Sequence, residues 1–225
     1  MTTEKKIKAL VFDAYGTLFD VYSVARLCNE LFPEQGQALS QLWRAKQLEY
    51  SWLLSLMGHY EDFWQVTEKA LRFACRVLQL HHNPAQLAHL MEAYLHLTPY
   101  PEVHQALAAL TDYPLAILSN GSPQMLAAVI ANANLQETFS HILSVDEVKI
   151  YKPNPQVYQL AVEKLGLEAS SIGFVSSNSF DIIGATAFGF CTYWVNRANN
   201  PLDELGFIPD MIIGKLTDLP DILKQ

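Results

Sequence analysis

The sequence predicts an α/β fold in which an open parallel sheet is interrupted by an all-helical insertion. Two observations predict it. Short apolar runs alternate with helix signals over most of the chain, whereas residues 20–97 carry helix-period patterns and no strand-like run. The length agrees: 225 residues, against roughly 150 per domain, suit one large domain or a domain with a sizeable insertion. A chain of this size buries about 70–75% of its unfolded surface and needs neither disulfides nor a metal to hold it together.

Residues 8–12 (KALVF) form the first apolar run and end at Asp13. Continuous runs of this length fit strands buried on both faces. Others follow at 114–118 (PLAIL), 141–145 (HILSV), 172–175 (IGFV), 191–195 (CTYWV) and 210–213 (DMII). Between them, Ser122-Pro123 and Asn154-Pro155 each place a capping side chain ahead of proline at the first helical position. This alternation gives a sheet with helices on both faces, a Rossmann-like core expected over residues 1–19 and 98–225.

Within the insertion, Phe63, Val66, Ala70, Leu71, Ala74, Val77 and Leu78 keep i, i+3, i+4, i+7 spacing behind a capping Asp62. Asn83-Pro84 opens another helix carrying Leu87, Leu90, Met91 and Tyr94. Residues 37–57 are rich in Leu, Trp and Tyr on more than one face. They read as the central helix of a four-helix-bundle-like cap, 20–97, or additionally as the contact surface of a homodimer. Placed after the first strand, such an insertion is expected to cover the sheet's carboxyl edge.

Hydrophobic residues make up 50% of the chain and charged ones 17%, which excludes disorder and fibrous repeats. Fifteen basic against 23 acidic residues leave a net charge of −8 and a pI near 5.3. An acidic chain without a basic cluster is a poor partner for nucleic acid or an anionic membrane. Cys28, Cys75 and Cys191 lie far apart with no C-x-x-C, and read as small buried hydrophobes. The apolar stretch of MTTEKKIKALVFDAYG is too short for a signal peptide or a membrane span, so a soluble cytoplasmic protein is expected. The seven histidines show no ligand spacing such as H-E-x-x-H and read as solvated helix residues.

Open α/β sheets bind ligands beyond the carboxyl ends of their strands. Those ends supply Asp13, then Ser119-Asn120-Gly121, then Ser176-Ser177-Asn178 with Asp181, while Lys152 lies in a Pro-rich loop after 141–145. Each alone has an ordinary reading as a cap or turn. Together they place two carboxylates, one ammonium and several hydroxyl and amide groups around one crevice.

VFDAYGTLFD at 11–20, SNG at 119–121, KPNPQVY at 152–158 and SSNSFD at 176–181 resemble the motifs of the haloacid dehalogenase superfamily. LWRAKQLEYSW at 42–52 resembles the arginine-bearing cap helix of its L-2-haloacid dehalogenases, and the likeness runs from about residue 7 to residue 200. Phosphatase members resemble D-x-D-G-T, where the second Asp protonates the leaving group. Here Tyr15 holds that position, and Ser176 and Ser177 stand where a further acid would help hold magnesium. A tyrosine, with a reference pKa of about 10, is no acid for this task at neutral pH, and magnesium prefers several hard carboxylate ligands. The resemblance therefore implies a site without metal or cofactor.

A departing halide needs no proton. The resemblance implies that Asp13 attacks C2 of a short (S)-2-haloalkanoate, that an aspartyl ester forms with inversion, and that water activated near Asp181 hydrolyses it to an (R)-2-hydroxy acid. It gives Lys152 the task of keeping Asp13 ionised, and Thr17, Ser176 and Asn178 the task of orienting the groups. Ser119 and Asn120 would meet the substrate carboxylate and Arg44 the leaving halide, with Ala14 also among the substrate-binding residues. Tyr15, Leu48, Phe63 and Phe180 would line the apolar pocket, with Tyr158 beside the site. Ordinary alternatives stay open at this point: loop caps for Thr17, Ser176 and Asn178, a solvated arginine, aromatic core, and a Tyr158 buried against the following helix. The family often carries Gln at position 45 and Trp at position 180, where this chain has Ala45 and Phe180. A small-molecule phosphatase and a non-catalytic dimeric scaffold are the competing functions.

Overall fold

The computed structural model describes residues 7–224; Lys5 and Lys6 of the N-terminal stretch lie outside them. The strands β1 (Ala9–Phe12), β2 (Leu115–Ser119), β3 (His141–Ser144), β4 (Ile172–Ser176), β5 (Cys191–Val195) and β6 (Met211–Ile213) form one parallel sheet in the order β3-β2-β1-β4-β5-β6. Each falls on one of the apolar runs. β1, β2 and β4 are buried throughout, as continuous apolar sequence requires of strands covered on both faces. The edge strands differ. Ile142 is 42% exposed and Ile212 58%, because an outer strand lacks the full helical cover of an inner one.

The cap region contains α1 (Val24–Leu31), α2 (Gly36–Met57), α3 (Phe63–Val77) and α4 (Pro84–Ala93). The Asp62 carboxylate accepts from the Gln65 N–H at 3.0 Å, and Asn83 and Gln86 form a reciprocal capping box, so both helices start where their caps stand. Phe63, Val66, Ala70, Leu71 and Ala74 bury the α3 stripe, while its last residue, Val77, is exposed. α2 packs between α1 and α3. The two chain connections run side by side: Asp20 N–H donates to Thr98 O at 2.9 Å, and Tyr100 N–H to Leu18 O at 3.0 Å.

The sheet is flanked by α5 (Val103–Ala108), α6 (Pro123–Asn132), α7 (Pro155–Leu165), α8 (Ser179–Phe188) and α9 (Leu219–Leu223). α6 and α7 start on the side-chain caps Ser122 and Asn154. Among the described residues no helix is long and apolar enough to cross a membrane. No disulfide joins the cysteines.

From β1 the chain passes to β2 on one side, while β4 pairs with β1 on the other. Strand order reverses there, which opens a crevice at the carboxyl ends of β1 and β4. Phe12 stands opposite both Ile117 and Val175, so the residues just beyond it emerge at one level.

Candidate active site

Asp13 leaves β1 with its N–H bonded to Val175 O at 3.0 Å and its side chain 7% exposed. The turn that follows needs Gly16, whose φ of +91° lies in the left-handed region. It returns Thr17 so that the hydroxyl donates to Asp13 Oδ2 at 2.9 Å. Asn178 Nδ2 donates to the same oxygen at 2.7 Å, and Ser176 Oγ at 3.4 Å. Among the described residues Asp13 Oδ1 accepts only the Lys152 ammonium, at 3.2 Å. The two carboxylate oxygens are therefore unequal, one tied by several donors and one lightly held.

Lys152 is 1% exposed. Besides Asp13, its ammonium donates to Asp181 Oδ2 at 2.8 Å and to Leu118 O at 2.7 Å, which employs all three of its protons. Its backbone N–H donates to Asn120 Oδ1 at 3.1 Å, fixing the Pro-rich loop to the S-N-G turn. Burial opposes the charge on Lys152, yet Asp13 and Asp181 outweigh it and hold the ammonium above its ordinary range. Asp181 is fully buried and also accepts the Tyr158 hydroxyl on Oδ1 at 2.9 Å. Burial pushes it up to about 6 against the pull of Lys152. With all three groups ionised, the cluster carries one net negative charge.

A cavity of about 10 Å³, room for roughly one water, lies over Asp13. Its polar wall is Asp13, Lys152, Ser119, Asn120, Asn178 and Arg44; its apolar wall is Tyr15, Leu48, Phe63 and Phe180. The fold thus brings residues from α2 and α3 against the strand ends. Phe180 packs edge-on against Trp52 of α2, with ring centroids 5.3 Å apart. Tyr15 is held by Gly121, where a Cβ would come within 2.6 Å of its ring. Burial, chiefly, raises the Tyr15 phenol far above its ordinary range, and its hydroxyl has no partner among the described residues. A larger groove of about 670 Å³ runs over α3 and α4, but its lining, including Trp64, Leu87 and Met91, contains none of these groups.

Tyr158 and Ala14 stand outside the cavity wall. Tyr158 is wholly buried behind Asp181 and lies outside the cavity wall, because α7 turns its ring into a cluster with Phe174, Phe188 and Phe190. Ala14 is likewise fully buried and outside the wall; its carbonyl accepts the N–H groups of Thr17, Leu18 and Phe19 to close the turn. Thr17, Ser176 and Asp181 reach the site through Asp13 and Lys152, not through the cavity. Ala45 is exposed and is not among the lining residues.

The sequence reading missed a relay behind Arg44. The Arg44 guanidinium donates to Gln47 Oε1 at 2.7 Å, Gln47 Nε2 donates to Thr67 Oγ1 at 2.6 Å, and the Thr67 hydroxyl donates to Phe63 O at 2.5 Å. Gln47 follows Arg44 by three residues, a helical neighbour within the same motif, so its spacing was a usable signal. Arg197, which touches Thr17 and Ser177, had no comparable signal.

An aspartate ending the first strand of a parallel sheet, beside a buried lysine and beneath a helical insertion, characterises a capped α/β hydrolase. The haloacid dehalogenase-like hydrolase profile matches residues 7–189, and the chain belongs to that family. It is 50% identical over 220 residues to the (S)-2-haloacid dehalogenase of Pseudomonas sp. (strain YL), covering 97% of this chain and 95% of the relative. It is 46% identical over 211 residues to haloacetate dehalogenase H-2 of Moraxella sp. (strain B), covering 93% and 94%. Among solved structures, L-2-haloacid dehalogenase from Xanthobacter autotrophicus with chloropropionic acid covalently bound superposes with a TM-score of 0.91 at 43% identity, covering 97% of this chain and 98% of that one.

Proposed function

We propose that this chain is a hydrolase of carbon–halide bonds that converts short-chain (S)-2-haloalkanoic acids to (R)-2-hydroxy acids through an ester on Asp13, without a metal. One observation carries the reading: a buried carboxylate, Asp13, and a cap guanidinium, Arg44, line the same small cavity, which Tyr15, Leu48, Phe63 and Phe180 close with an apolar side.

Asp13 Oδ1, the less committed oxygen, displaces halide at C2. The C–X electron pair leaves with the halide, and Arg44 stabilises that charge as it forms. Ser119 and Asn120 receive the substrate carboxylate. Esterification removes the Asp13 charge, so the lysine and Asp181 become a balanced pair. Water then adds to the Asp13 carboxyl carbon. Charge develops on Oδ2, where Thr17, Asn178 and Ser176 already donate. The ester C–O bond breaks on the enzyme side, the departing oxygen takes one of the water's protons as the hydroxy acid leaves, and the other passes by way of the Lys152–Asp181 pair. Asp13 is the cavity's one carboxylate, and both Asp181 oxygens are engaged, a donor set that suits an ammonium better than magnesium.

A single turnover in oxygen-18 water with enzyme in excess tests the ester route. Label on Asp13 and none in the product hydroxyl is expected. Label in the product with none in the Asp13 peptide overturns the nucleophile assignment.

The same reading divides the chain into a core of 1–19 with 98–225 and a cap of 20–97, supported by the paired connections at Asp20–Thr98 and Leu18–Tyr100. It makes the protein a cytoplasmic homodimer. Buried thiols at Cys28 and Cys75 accord with a reducing compartment, and Leu53, Leu56 and Met57 lie exposed on α2, an apolar patch for a second copy. Light scattering on Leu56→Asp should show a smaller assembly than the parent protein.

A further inference from the structure

Arg197 lies two residues beyond β5 and far in sequence from the residues it holds. Its guanidinium spends donors on three separate segments. Nη2 donates to the carbonyl of Thr17 at 2.9 Å, Nη1 to Ser177 Oγ at 2.7 Å, and Nε to Glu102 Oε1 at 2.8 Å. Its flat face covers the Tyr100 ring, with Cζ 3.8 Å from the centroid. Thr17 belongs to the connection entering the cap, Tyr100 and Glu102 to the connection leaving it, and Ser177 to the loop after β4.

The two core residues it grips are themselves bonded. Ser177 N–H donates to Thr17 Oγ1 at 2.8 Å, and that hydroxyl donates onward to Asp13 Oδ2. Arg197, Thr17 and Ser177 close a ring of hydrogen bonds that sets where the Thr17 hydroxyl stands. A planar guanidinium spans three acceptors at fixed angles; an ammonium would not.

We propose that Arg197 is a positioning residue for the reaction: it ties both cap connections to the Thr17–Ser177 pair and thereby aligns Asp13. This rests on the assignment of Asp13 as nucleophile. Its effect falls on the alignment of the attacking oxygen, hence on kcat, while the residues that line the substrate cavity stay in place.

Arg197→Met keeps a comparable apolar stem and removes every donor. Two measurements test it: steady-state halide release from 2-chloropropionate, and amide hydrogen exchange. In Arg197→Met, kcat should fall by about thirtyfold or more, with KM within about threefold. The Ser177 amide should exchange about tenfold faster or more, with exchange in β1 unchanged. A kcat within threefold of the parent overturns the proposal, as does a fall in kcat with Ser177 exchange unaltered. If Arg197→Met fails to fold, Arg197→Lys gives the same comparison, since lysine keeps the charge but not the three-way span. Halide release by the parent protein separates the two claims. If the parent is inactive, the dehalogenase reading fails, and Ser177 exchange alone judges the positioning of Thr17.

Discussion

The Tyr158 hydroxyl stands 2.9 Å from Asp181 Oδ1 in a part of the protein where neither side chain meets solvent. A buried carboxylate usually keeps its charge only with such help. Here Tyr158 and Lys152 between them occupy both Asp181 oxygens, and they oppose the burial that raises its proton affinity.

That balance sets a pH dependence. Asp181 is pushed up to about 6, and its carboxylate form is the one that pairs with Lys152 and takes up a proton during ester hydrolysis. Halide release should therefore be full well above that value and fall as pH drops through it, approaching tenfold per pH unit. A pH–rate profile checks this. Constant kcat down to pH near 5 would contradict the role given to Asp181.

Tyr158→Phe removes the hydroxyl and leaves the ring in its aromatic cluster. The lost hydrogen bond favoured the charged carboxylate, so the acidic limb should move to higher pH. Stability should fall by about 1–3 kcal/mol, the usual cost of leaving a buried acceptor short of a partner. A limb that stays in place, with the protein folded, would mean that Asp181 does not govern it.

Gln47→Met tests the relay behind Arg44. Gln47 presents Oε1 to Arg44 because its Nε2 is committed to Thr67, whose own proton is committed to Phe63 O. A side chain of similar volume without an acceptor frees the guanidinium. Halide release should fall by about tenfold, or 1.4 kcal/mol of barrier, and Arg44→Lys should lose more. Parent-like turnover in both variants would remove Arg44 from the halide site.

Chelator should leave halide release unchanged, and added magnesium should not raise it, because the cavity offers a metal one carboxylate. A metal dependence of about tenfold or more would overturn the metal-free chemistry.

Local chemistry made much of this protein legible. The strands follow continuous apolar runs, and the helices at 63, 84, 123 and 155 start at capping residues whose bonds form within a few positions of the chain. Asp13, Asn120 and Asn178 could be placed because a strand end is visible in sequence and carboxyl ends of a parallel sheet converge. Edge strands could not be told from inner ones, since an apolar run does not state how many faces are covered. Which way Tyr158 turns, which oxygen of Asp13 is the lightly held one, and that Arg197 holds Thr17 from 180 residues away were decided only by tertiary packing. Periodicity and capping record interactions within a turn or two of backbone. A hydrogen bond between distant segments exists only once the sheet and cap have closed around it, and nothing in the spacing of either partner encodes the distance between them.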